Sequence, residues 1–394
     1  MITFQMMMAA AAFLTAGCRN QPAESRSSVK NDPDQLILYI GTYTEKEGHV
    51  DGKATGIYIY SMDRETGQLT YTGVSPFTIN PSFIKVHPNG KWLYAVNETG
   101  NETGEMAGSV SAFRLTDDGR KLELINTVSS AGNYPCHIDT DQTGRWAFAA
   151  NYGSGTVALF PIGDDGTIGE AVSVDQHKGK GLTSRQESAH AHMIISSPDN
   201  RFIYSCDLGT DRIYIYRLDT IRGELTSAGD PYVAAPGSGP RHMTFHPNKS
   251  LAYVVNELNG TIACLKVDSL TGSLTSFQVV ATTPGDNGMN ASCADIHFTP
   301  SGKYLYASNR GAFNSIAMYS ADPVTGELTF LGNQPVNGKT PRSFVIDPSG
   351  SFLLVANQDS DNVVTFRIDQ ATGMLTETGM DANIPTPVCL KFME

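Results

Sequence analysis

Cysteine is scarce in this chain of 394 residues, which contains only six. No two of them form a Cys-x-x-Cys pair, and none has the spacing of thiol ligands to zinc. When Cys18 in the apolar N-terminal segment is set aside, an odd number remains, so these cysteines cannot all pair. They lie mostly in apolar strand patterns, and we expect small buried side chains and no disulfide framework or cysteine nucleophile. The remaining five are Cys136, Cys206, Cys264, Cys293 and Cys389.

Basic residues are also few relative to acidic ones. The chain has 28 Lys and Arg against 40 Asp and Glu, which gives a net charge of −12. This balance excludes nucleic acid as a partner, because phosphate backbones require a basic surface. It leaves open a small anionic substrate held in a locally basic pocket. Long helical periodicity is absent as well, while 38 Gly and 20 Pro favour a turn-rich all-β chain.

The chain does contain a pattern that recurs about every 50 residues. Each copy is a turn, often Pro-x-Gly, followed by an aromatic-apolar strand that ends near Asn. A period of this length built from short strands and turns is typical of propeller blades. A seventh strand, Leu36–Thr42, lacks the preceding turn. The six full copies end at Asn97, Asn151, Asp207, Asn256, Asn309 and Asn357.

Further apolar strands precede and follow each copy, so that four strands in each of seven blades account for residues 36–392. The first blade lacks its leading strand, whereas the C-terminal segment Pro387–Phe392 is a spare strand of that kind. We therefore predict that Pro387–Phe392 pairs with Leu36–Thr42 and closes the ring, which removes exposed strand edges. The predicted fold is an all-β, seven-bladed β-propeller over residues 36–394.

The N-terminal segment predicts export. Met6–Leu14 is apolar, and Leu14-Thr15-Ala16-Gly17-Cys18 resembles the lipobox of bacterial lipoproteins, in which the cysteine is lipidated after cleavage. Residues 1–18 would then be a signal peptide and residues 19–35 a flexible tether. No Lys or Arg precedes residue 18, unlike most signal peptides. We expect an envelope lipoprotein anchored to the membrane through Cys18, or a periplasmic protein, with a cytoplasmic location as the alternative.

Charged and imidazole residues concentrate on the innermost strands and just after the second strands. Innermost strands line the channel of a propeller, and ionic groups there are costly unless they are paired or used. We therefore predict a ligand site at the channel mouth, and a hydrated polar plug is the alternative. The candidates are His137, Arg185, Glu187, His190, His192, Arg241, His242, Glu257, Asp295, His297, Arg310 and Arg342.

Several blocks resemble one family of propellers. Gly239–Pro247, Tyr253–Leu258, Ala294–Pro300 and Thr340–Phe344 are similar to segments of the seven-bladed 6-phosphogluconolactonases, a family that also includes fungal carboxymuconate cyclases. The resemblance covers residues 36–392 and implies hydrolysis of a sugar δ-lactone in the pentose phosphate pathway. Kelch and WD40 propellers fit worse, because neither a Gly-Gly doublet nor a Trp-Asp ending recurs.

The resemblance implies three catalytic residues: His192, Arg241 and Glu257. Lactone hydrolysis needs a base for the attacking water and a cation or donors for the oxyanion. Glu257 suits the base, and Arg241 suits the oxyanion or an anionic group of the substrate. His192 can hold the ring oxygen or pass a proton to the leaving alkoxide. For each, the alternative is a purely structural ion pair or a hydrogen bond to the backbone.

Further residues are predicted to bind the substrate, and one segment is a candidate lid. Lys178–Ser188 has no strand pattern, and we take as a hypothesis that Arg185–His190, which begins within it, folds over the site as a lid. The arginines among the binding residues could hold phosphate or carboxylate in bidentate fashion. The predicted substrate-binding residues are His137, Arg185, His242, Arg310 and Arg342.

Other chemistries remain open at this point. His190-Ala191-His192 places two imidazoles on one strand face, and a zinc site with His137, His242 or Asp295 is conceivable, although the prediction is no metal and no cofactor. A non-catalytic binding propeller on the cell surface and a cyclase of muconate-type acids are the alternative functions. An exported protein would also not meet the phosphorylated lactones of central metabolism, so another aldonolactone is possible.

Overall fold

The computed structural model describes Met1 and residues 34–48, 50–100, 107–285 and 292–393. The predicted signal peptide with Cys18, and the predicted tether up to residue 33, lie outside the described residues. Within the described residues the regular elements are β-strands and one short 3-10 helix, Gln358–Ser360. None of the helical structure in this part of the chain is long and apolar enough to cross a membrane.

The strands form seven antiparallel sheets, each built on four strands that we number outward from the channel. The innermost strands of blades 1 to 7 are Pro387–Phe392, Pro81–Val86, Pro135–Thr140, Ala191–Ser196, Pro240–Phe245, Cys293–Phe298 and Pro341–Ile346. The second strands are Gln35–Thr42, Trp92–Asn97, Trp146–Asn151, Ile203–Asp207, Leu251–Asn256, Tyr304–Asn309 and Phe352–Asn357.

The outer halves of the blades complete the sheets. The third strands are Tyr58–Asp63, Ser109–Thr116, Thr156–Pro161, Arg212–Asp219, Thr261–Val267, Ser315–Ala321 and Asn362–Ile368. The fourth strands are Leu69–Val74, Lys121–Ser129, Ser173–Gln176, Glu224–Ser227, Leu274–Ala281, Leu328–Pro335 and Leu375–Asn383. Blade 4 has an extra short strand, Tyr232–Val233, and a small hairpin of Lys46–Glu47 with Val50–Asp51 follows the second strand of blade 1.

The ring closes as the sequence predicts. Pro387–Phe392 pairs with Gln35–Thr42, and the register places Leu38 opposite Phe392 and Ile40 opposite Leu390. Pro387–Phe392 also contacts the innermost strands of blades 2 and 7, so that the seven innermost strands form a closed circle. The first and last strands of the chain therefore share one blade. This result confirms the all-β, seven-bladed propeller.

A tyrosine that recurs on the second strands links neighbouring blades by a hydrogen bond. In five blades a buried tyrosine on the second strand donates a hydrogen bond to the carbonyl of a glycine in the outer turn of the next blade. That glycine begins the Gly-x-Leu-Thr type of turn, so two separate repeats in the sequence meet in one contact. Buried aromatic rings supply apolar area, and the phenol oxygen finds a polar partner. The pairs are Tyr39–Gly119, Tyr94–Gly166, Tyr204–Gly272, Tyr253–Gly326 and Tyr306–Gly373.

In three blades the recurrent asparagine fixes the loop that enters the innermost strand. The side-chain amide of Asn97 donates to the carbonyl of Ile79 at 2.7 Å, and Asn151 makes the equivalent bond to Ser130 at 3.0 Å. Asn357 does the same to Val336 at 3.3 Å. Because these loops lead directly into the channel, the repeat positions the residues that follow them.

Candidate active site

A β-bulge interrupts the pairing at the start of every innermost strand. Bulges turn a residue out of the ladder and are common beside functional sites. The first residue is proline in five of the seven innermost strands. Each innermost strand is an edge of its sheet, and proline is tolerated there because no ladder hydrogen bond is lost. The second residue of each strand is displaced at the bulge and lies at one mouth of the channel. These residues are Val388, Ser82, Cys136, His192, Arg241, Ala294 and Arg342.

Glu257 is the centre of an arginine cluster at this mouth. It follows the second strand of blade 5 and is only 4% exposed. Its Oε2 lies 2.9 Å from Nη2 of Arg310 and 3.1 Å from Nε of Arg241, whose N–H is not aimed at that oxygen. Its Oε1 accepts a hydrogen bond from Nη2 of Arg185 at 3.1 Å. One carboxylate is therefore shared by three guanidinium groups.

These guanidinium groups determine the charge state of Glu257. Burial alone would raise the pKa of its carboxyl, but Arg310, Arg241 and Arg185 outweigh burial and lower that pKa to about 2. The carboxylate is therefore ionised throughout the physiological range. It is also a weak proton acceptor as long as all three arginines hold it.

Arg241 is the most deeply buried of the arginines. It is 1% exposed, and its Nη1 donates a hydrogen bond of 2.6 Å to the carbonyl of Ala294. Burial, together with the nearby Arg310 and Arg342, lowers the pKa of its guanidinium to about 10. The group still carries its proton at neutral pH, so it presents a fixed positive charge to the channel mouth.

A second acidic residue faces Arg342 on the other side of the mouth. Nη2 of Arg342 lies 3.8 Å from Oε1 of Glu98, and its guanidinium lies 5.6 Å from the ring centre of Tyr43. Glu98 accepts a hydrogen bond of 2.8 Å from the hydroxyl of Tyr43. The contact between Arg342 and Glu98 is long, which leaves the cation available to a ligand.

Three imidazoles lie in the channel below the arginines. The ring centre of His242 lies 5.3 Å from that of His192 and 5.6 Å from that of His137. Burial is the main reason that the pKa of all three rings is lowered, and for His242 the pKa is about 4. Nδ1 of His192 and Nε2 of His242 have no hydrogen-bond partner among the described residues. These rings are therefore neutral, and two of them have a nitrogen available for a further contact.

Asp295 supports His242 from the next blade. Its Oδ1 lies 2.9 Å from Nδ1 of His242, and its Oδ2 accepts a hydrogen bond of 2.9 Å from the hydroxyl of Ser343. Nε2 of His297 lies 3.2 Å from the same Oδ2. Burial would raise the pKa of the Asp295 carboxyl, but His297 and His242 hold it well below its usual range. The result is an ionised carboxylate behind a neutral imidazole.

The segment proposed as a lid carries Arg185 to the mouth. The side chain of Arg185 is 55% exposed and donates a hydrogen bond of 3.2 Å to the hydroxyl of Tyr152. The next residue, Gln186, is fully buried and donates at 2.8 Å to both the carbonyl of Leu208 and Oδ1 of Asp211. The segment is thus anchored beside its exposed arginine. Whether it moves when substrate binds stays a hypothesis.

The geometry of His190 does not favour the zinc site. Its ring stacks on Tyr152 at 4.4 Å, its Nδ1 lies 2.9 Å from the carbonyl of Tyr152, and its Nε2 lies 3.3 Å from Glu187. Both nitrogens of His190 are therefore engaged, while His192 turns into the channel at the bulge. Over the described part of the chain, no group of three or more His, Cys, Asp or Glu is arranged to hold a metal ion.

The five cysteines that the structure describes are free and buried, which confirms the prediction of small buried side chains. Cys136 lies closest to the site, and its Sγ donates a weak hydrogen bond of 3.4 Å to the carbonyl of His192. Burial raises the pKa of this thiol, so the nucleophilic thiolate is disfavoured.

The structure brings the predicted site residues together at one mouth. Arg241, Glu257, Arg185, Arg310 and Arg342 meet there, while the three predicted histidines occupy the channel directly beneath. Sequence analysis missed Tyr43, Glu98 and Tyr152. Each directly follows a second strand, as Glu257 and Arg310 do, so the repeat itself was the signal that identifies them.

Known proteins of similar sequence and structure were compared with the chain. A 6-phosphogluconolactonase of Bacillus subtilis strain 168 is 34% identical over 359 residues, which cover 91% of this chain and 99% of that protein. A 6-phosphogluconolactonase of Formosa agariphila is 35% identical over 342 residues, covering 86% of this chain and 94% of that protein. The structure of a periplasmic gluconolactonase of Pseudomonas aeruginosa is 30% identical with a TM-score of 0.84, covering 91% of this chain and 99% of that one.

The family comparison agrees with the fold. The model of the family described as "Lactonase, 7-bladed beta-propeller" matches residues 37–392, which is nearly the whole ring. The chain therefore belongs to the seven-bladed β-propeller lactonase family.

Proposed function

We propose that this protein hydrolyses a sugar δ-lactone, 6-phosphogluconolactone in the first instance, to the open-chain acid. The observation that carries the proposal is the excess of buried positive charge at the channel mouth. Arg185, Arg241 and Arg310 share the single carboxylate of Glu257. In a chain with a net charge of −12, such a cluster points to an anionic ligand.

Charge balance explains why the ligand should carry a phosphate or carboxylate group. Buried cations that lack full compensation are costly, and an incoming anion removes part of that cost. Guanidinium groups also match the geometry of phosphate oxygens, with which they form paired hydrogen bonds. Arg185 is the only one of the three with a largely exposed side chain in the described structure, so we assign it to the outer, phosphorylated end of the substrate.

We assign the inner arginines, Arg241 and Arg342, to the lactone end of the substrate, where the reaction takes place. Arg241 and Arg342 flank the centre of the channel, where an oxyanion that develops on the lactone carbonyl would meet preorganised donors. His192 lies beside them with a free nitrogen toward the site, so it can donate to the ring oxygen that leaves. Removing one donor of this kind commonly lowers the rate by about 10²–10³.

The role of Glu257 as base remains a prediction. With a pKa of about 2 it accepts protons poorly in the resting site. It becomes more basic only if the substrate phosphate draws Arg185 and Arg310 away from it. Whether or not Glu257 acts as the base, its contacts with Arg185, Arg241 and Arg310 support a role in aligning these arginines for the substrate.

The N-terminal segment supports a second candidate substrate, an unphosphorylated aldonolactone. We propose from the sequence alone that Cys18 is lipidated after export, which would place the propeller in the cell envelope. Phosphorylated intermediates would not reach it there, and an unphosphorylated aldonolactone would be the substrate. The Pseudomonas aeruginosa relative named a periplasmic gluconolactonase is in line with this choice.

The decisive experiment measures hydrolysis of freshly made 6-phosphogluconolactone and of gluconolactone by the protein without residues 1–33. We expect saturable turnover above the spontaneous rate. Arg185→Ala should raise KM for the phosphorylated lactone by about tenfold or more, which is the loss of one charged hydrogen bond of about 1.5–3 kcal/mol. KM for gluconolactone should be unchanged.

Arg222→Ala is the matched control, because Arg222 is an exposed arginine of blade 4 whose ion pair with Asp219 is a long contact of 3.9 Å. This variant loses the same charge and should behave as wild type. If neither lactone is hydrolysed, the proposed substrates are wrong, and binding or muconate-cyclase activity is favoured instead. Equal effects of both substitutions would mean that Arg185 acts only through net charge.

A further inference from the structure

We infer that His242, oriented by Asp295, is the group that takes the proton from the attacking water, and that this water lies in the small cavity beneath Arg241 and Arg342. The inference rests on the proposed lactone hydrolysis and goes beyond it, because the base predicted from the sequence is Glu257. It also gives a chemical role to Asp295, which otherwise has none.

A cavity at the centre of the channel has the size and polarity for one water molecule. Its volume is ≈10 Å³, which is about the space that one water needs. Ser82 and His242 both line it, and both are about 97% buried. The hydroxyl of Ser82 and Nε2 of His242 have no hydrogen-bond partner among the described residues. Buried polar atoms normally have partners, so a water that bridges these two is the simplest way to satisfy both.

Asp295 fixes the tautomer that the reaction requires. Its carboxylate faces Nδ1 of His242 at 2.9 Å, so that nitrogen carries the proton and Nε2 keeps a free electron pair. The carboxylate is itself held by the hydroxyl of Ser343 at 2.9 Å and by backbone N–H groups of Ile296 and Phe344 at 3.0 and 3.3 Å. The arrangement of acid, imidazole and free nitrogen is the one by which a carboxylate orients a general base.

His242 is also the better proton acceptor of the two candidates. Glu257 is paired with three guanidinium groups, whereas among the described residues the ring of His242 pairs with the carboxylate of Asp295. Burial, followed by the neighbouring Arg241, lowers the pKa of the imidazole to about 4, which keeps it neutral at pH 7. The titratable and charged groups that face His242 from its own and adjoining strands are Arg241, Asp295, His297, His137 and His192.

The step balances without any further reactant. The water oxygen attacks the lactone carbonyl carbon while one of its protons passes to Nε2 of His242. The carbonyl oxygen becomes an oxyanion beside Arg241 and Arg342. When the bond between the carbonyl carbon and the ring oxygen breaks, the ring oxygen takes the proton back from Nε2. Water is thereby added across the ester bond, and His242 returns to its neutral form.

The first test is the pH profile of kcat/KM for the unaltered protein, which reports the pKa of an essential base in the free enzyme. If His242 is the base, the acid limb lies near pH 4, whereas Glu257 would place it near pH 2. The second ionisation of the substrate phosphate lies near pH 6 and is separate from both. A limb near pH 2, or no acid limb above pH 3, overturns the inference.

The second test uses His242→Asn, whose amide can still donate to Asp295 but offers no basic nitrogen to the water. We expect kcat to fall about 10²–10⁴-fold with KM little changed, because general base catalysis is worth that much. Asp295→Asn should lower kcat through the wrong tautomer, again at constant KM. His246→Asn is the control, since His246 is a buried imidazole just beyond the far end of the same strand.

The results distinguish a failure of the proposed lactone hydrolysis from a failure of the role of His242 alone. If the unaltered protein hydrolyses no lactone, the proposed function fails first. If it does and His242→Asn retains kcat within tenfold, only the role of His242 fails. Should either variant melt far below the His246→Asn control, the pH profile of the unaltered protein decides alone.

Discussion

Replacing Glu257 by Gln should lower the free energy of unfolding at pH 7 by about 3 kcal/mol. The pKa of this carboxyl is lowered from 4.5 to about 2 by its arginines. Each unit of pKa difference between the folded and unfolded states corresponds to about 1.4 kcal/mol at a pH above both values. The group is 4% exposed, so solvent screens the ion pairs little. The variant should unfold at lower urea concentration than the native chain.

The effect has a defined dependence on pH. A carboxyl with a depressed pKa stabilises the fold fully above its unfolded pKa, and this contribution disappears as the pH falls through its folded pKa. The difference between Glu257→Gln and the native protein should therefore be largest above about pH 5 and shrink toward pH 2. For a ring of this length, about 3 kcal/mol corresponds to a decrease in Tm of about 4 °C.

The assay is urea denaturation at pH 7 and pH 3, with Glu224→Gln as the control because Glu224 is exposed on an outer strand. Inorganic phosphate adds a second readout. Without Glu257 the arginines lose their shared carboxylate, so phosphate should bind more tightly and raise Tm more than in the native protein. Equal stability of Glu257→Gln and the native protein at pH 7, with no extra gain from phosphate, would refute the account of the arginine cluster.

The remaining predictions concern acid stability, ring closure and anchoring. His137, His192 and His242 are neutral in the fold and have lowered pKa values. The unfolded chain therefore binds more protons, and the free energy of unfolding should fall as the pH drops from about 6.5 to 4. A urea midpoint that is constant over this range would contradict this prediction. Deleting residues 385–394 removes the innermost strand of blade 1 and should abolish cooperative thermal unfolding near the native Tm, whereas an unchanged melt would exclude closure. Cys18→Ala should prevent incorporation of a radiolabelled lipid precursor in cells, and label retained by this variant would exclude Cys18 as the acceptor.

The fold was predictable because one pattern is repeated. A single turn and strand says little, but six copies that end in Asn or Asp specify blades, and the spare strand Pro387–Phe392 specifies closure. The same repetition explains why Asn97, Asn151 and Asn357 each hold the loop that enters the innermost strand of their own blade.

The composition of the site was predictable, but its internal pairing was not. Charged residues on innermost strands must line the channel, so Arg241, Arg342 and His192 could be identified. Which of them contact one another depends on the bulge at the start of each strand, and strict strand alternation does not anticipate that displacement. The sharing of Glu257 among three arginines was also not predictable, for a different reason. Arg185 reaches Glu257 from a loop that lies 72 residues earlier in the chain.

A nearly symmetric ring thus produces a strongly asymmetric site. The seven bulged positions are equivalent by fold, yet only those of blades 4, 5 and 7 carry His192, Arg241 and Arg342, while blades 1, 2 and 3 carry Val388, Ser82 and Cys136. We therefore expect the charged end of a ligand to lie toward blades 4 to 7 and its uncharged face toward blades 1 to 3. Six of the bulges displace one residue, whereas that of blade 6 displaces two, Ala294 and Asp295. The side chains presented to the channel therefore differ from blade to blade although the strands repeat. We therefore expect Arg241 and Arg342 at the bulges to act together with Arg185 and Arg310, which reach the same mouth from loops, in orienting an anionic substrate.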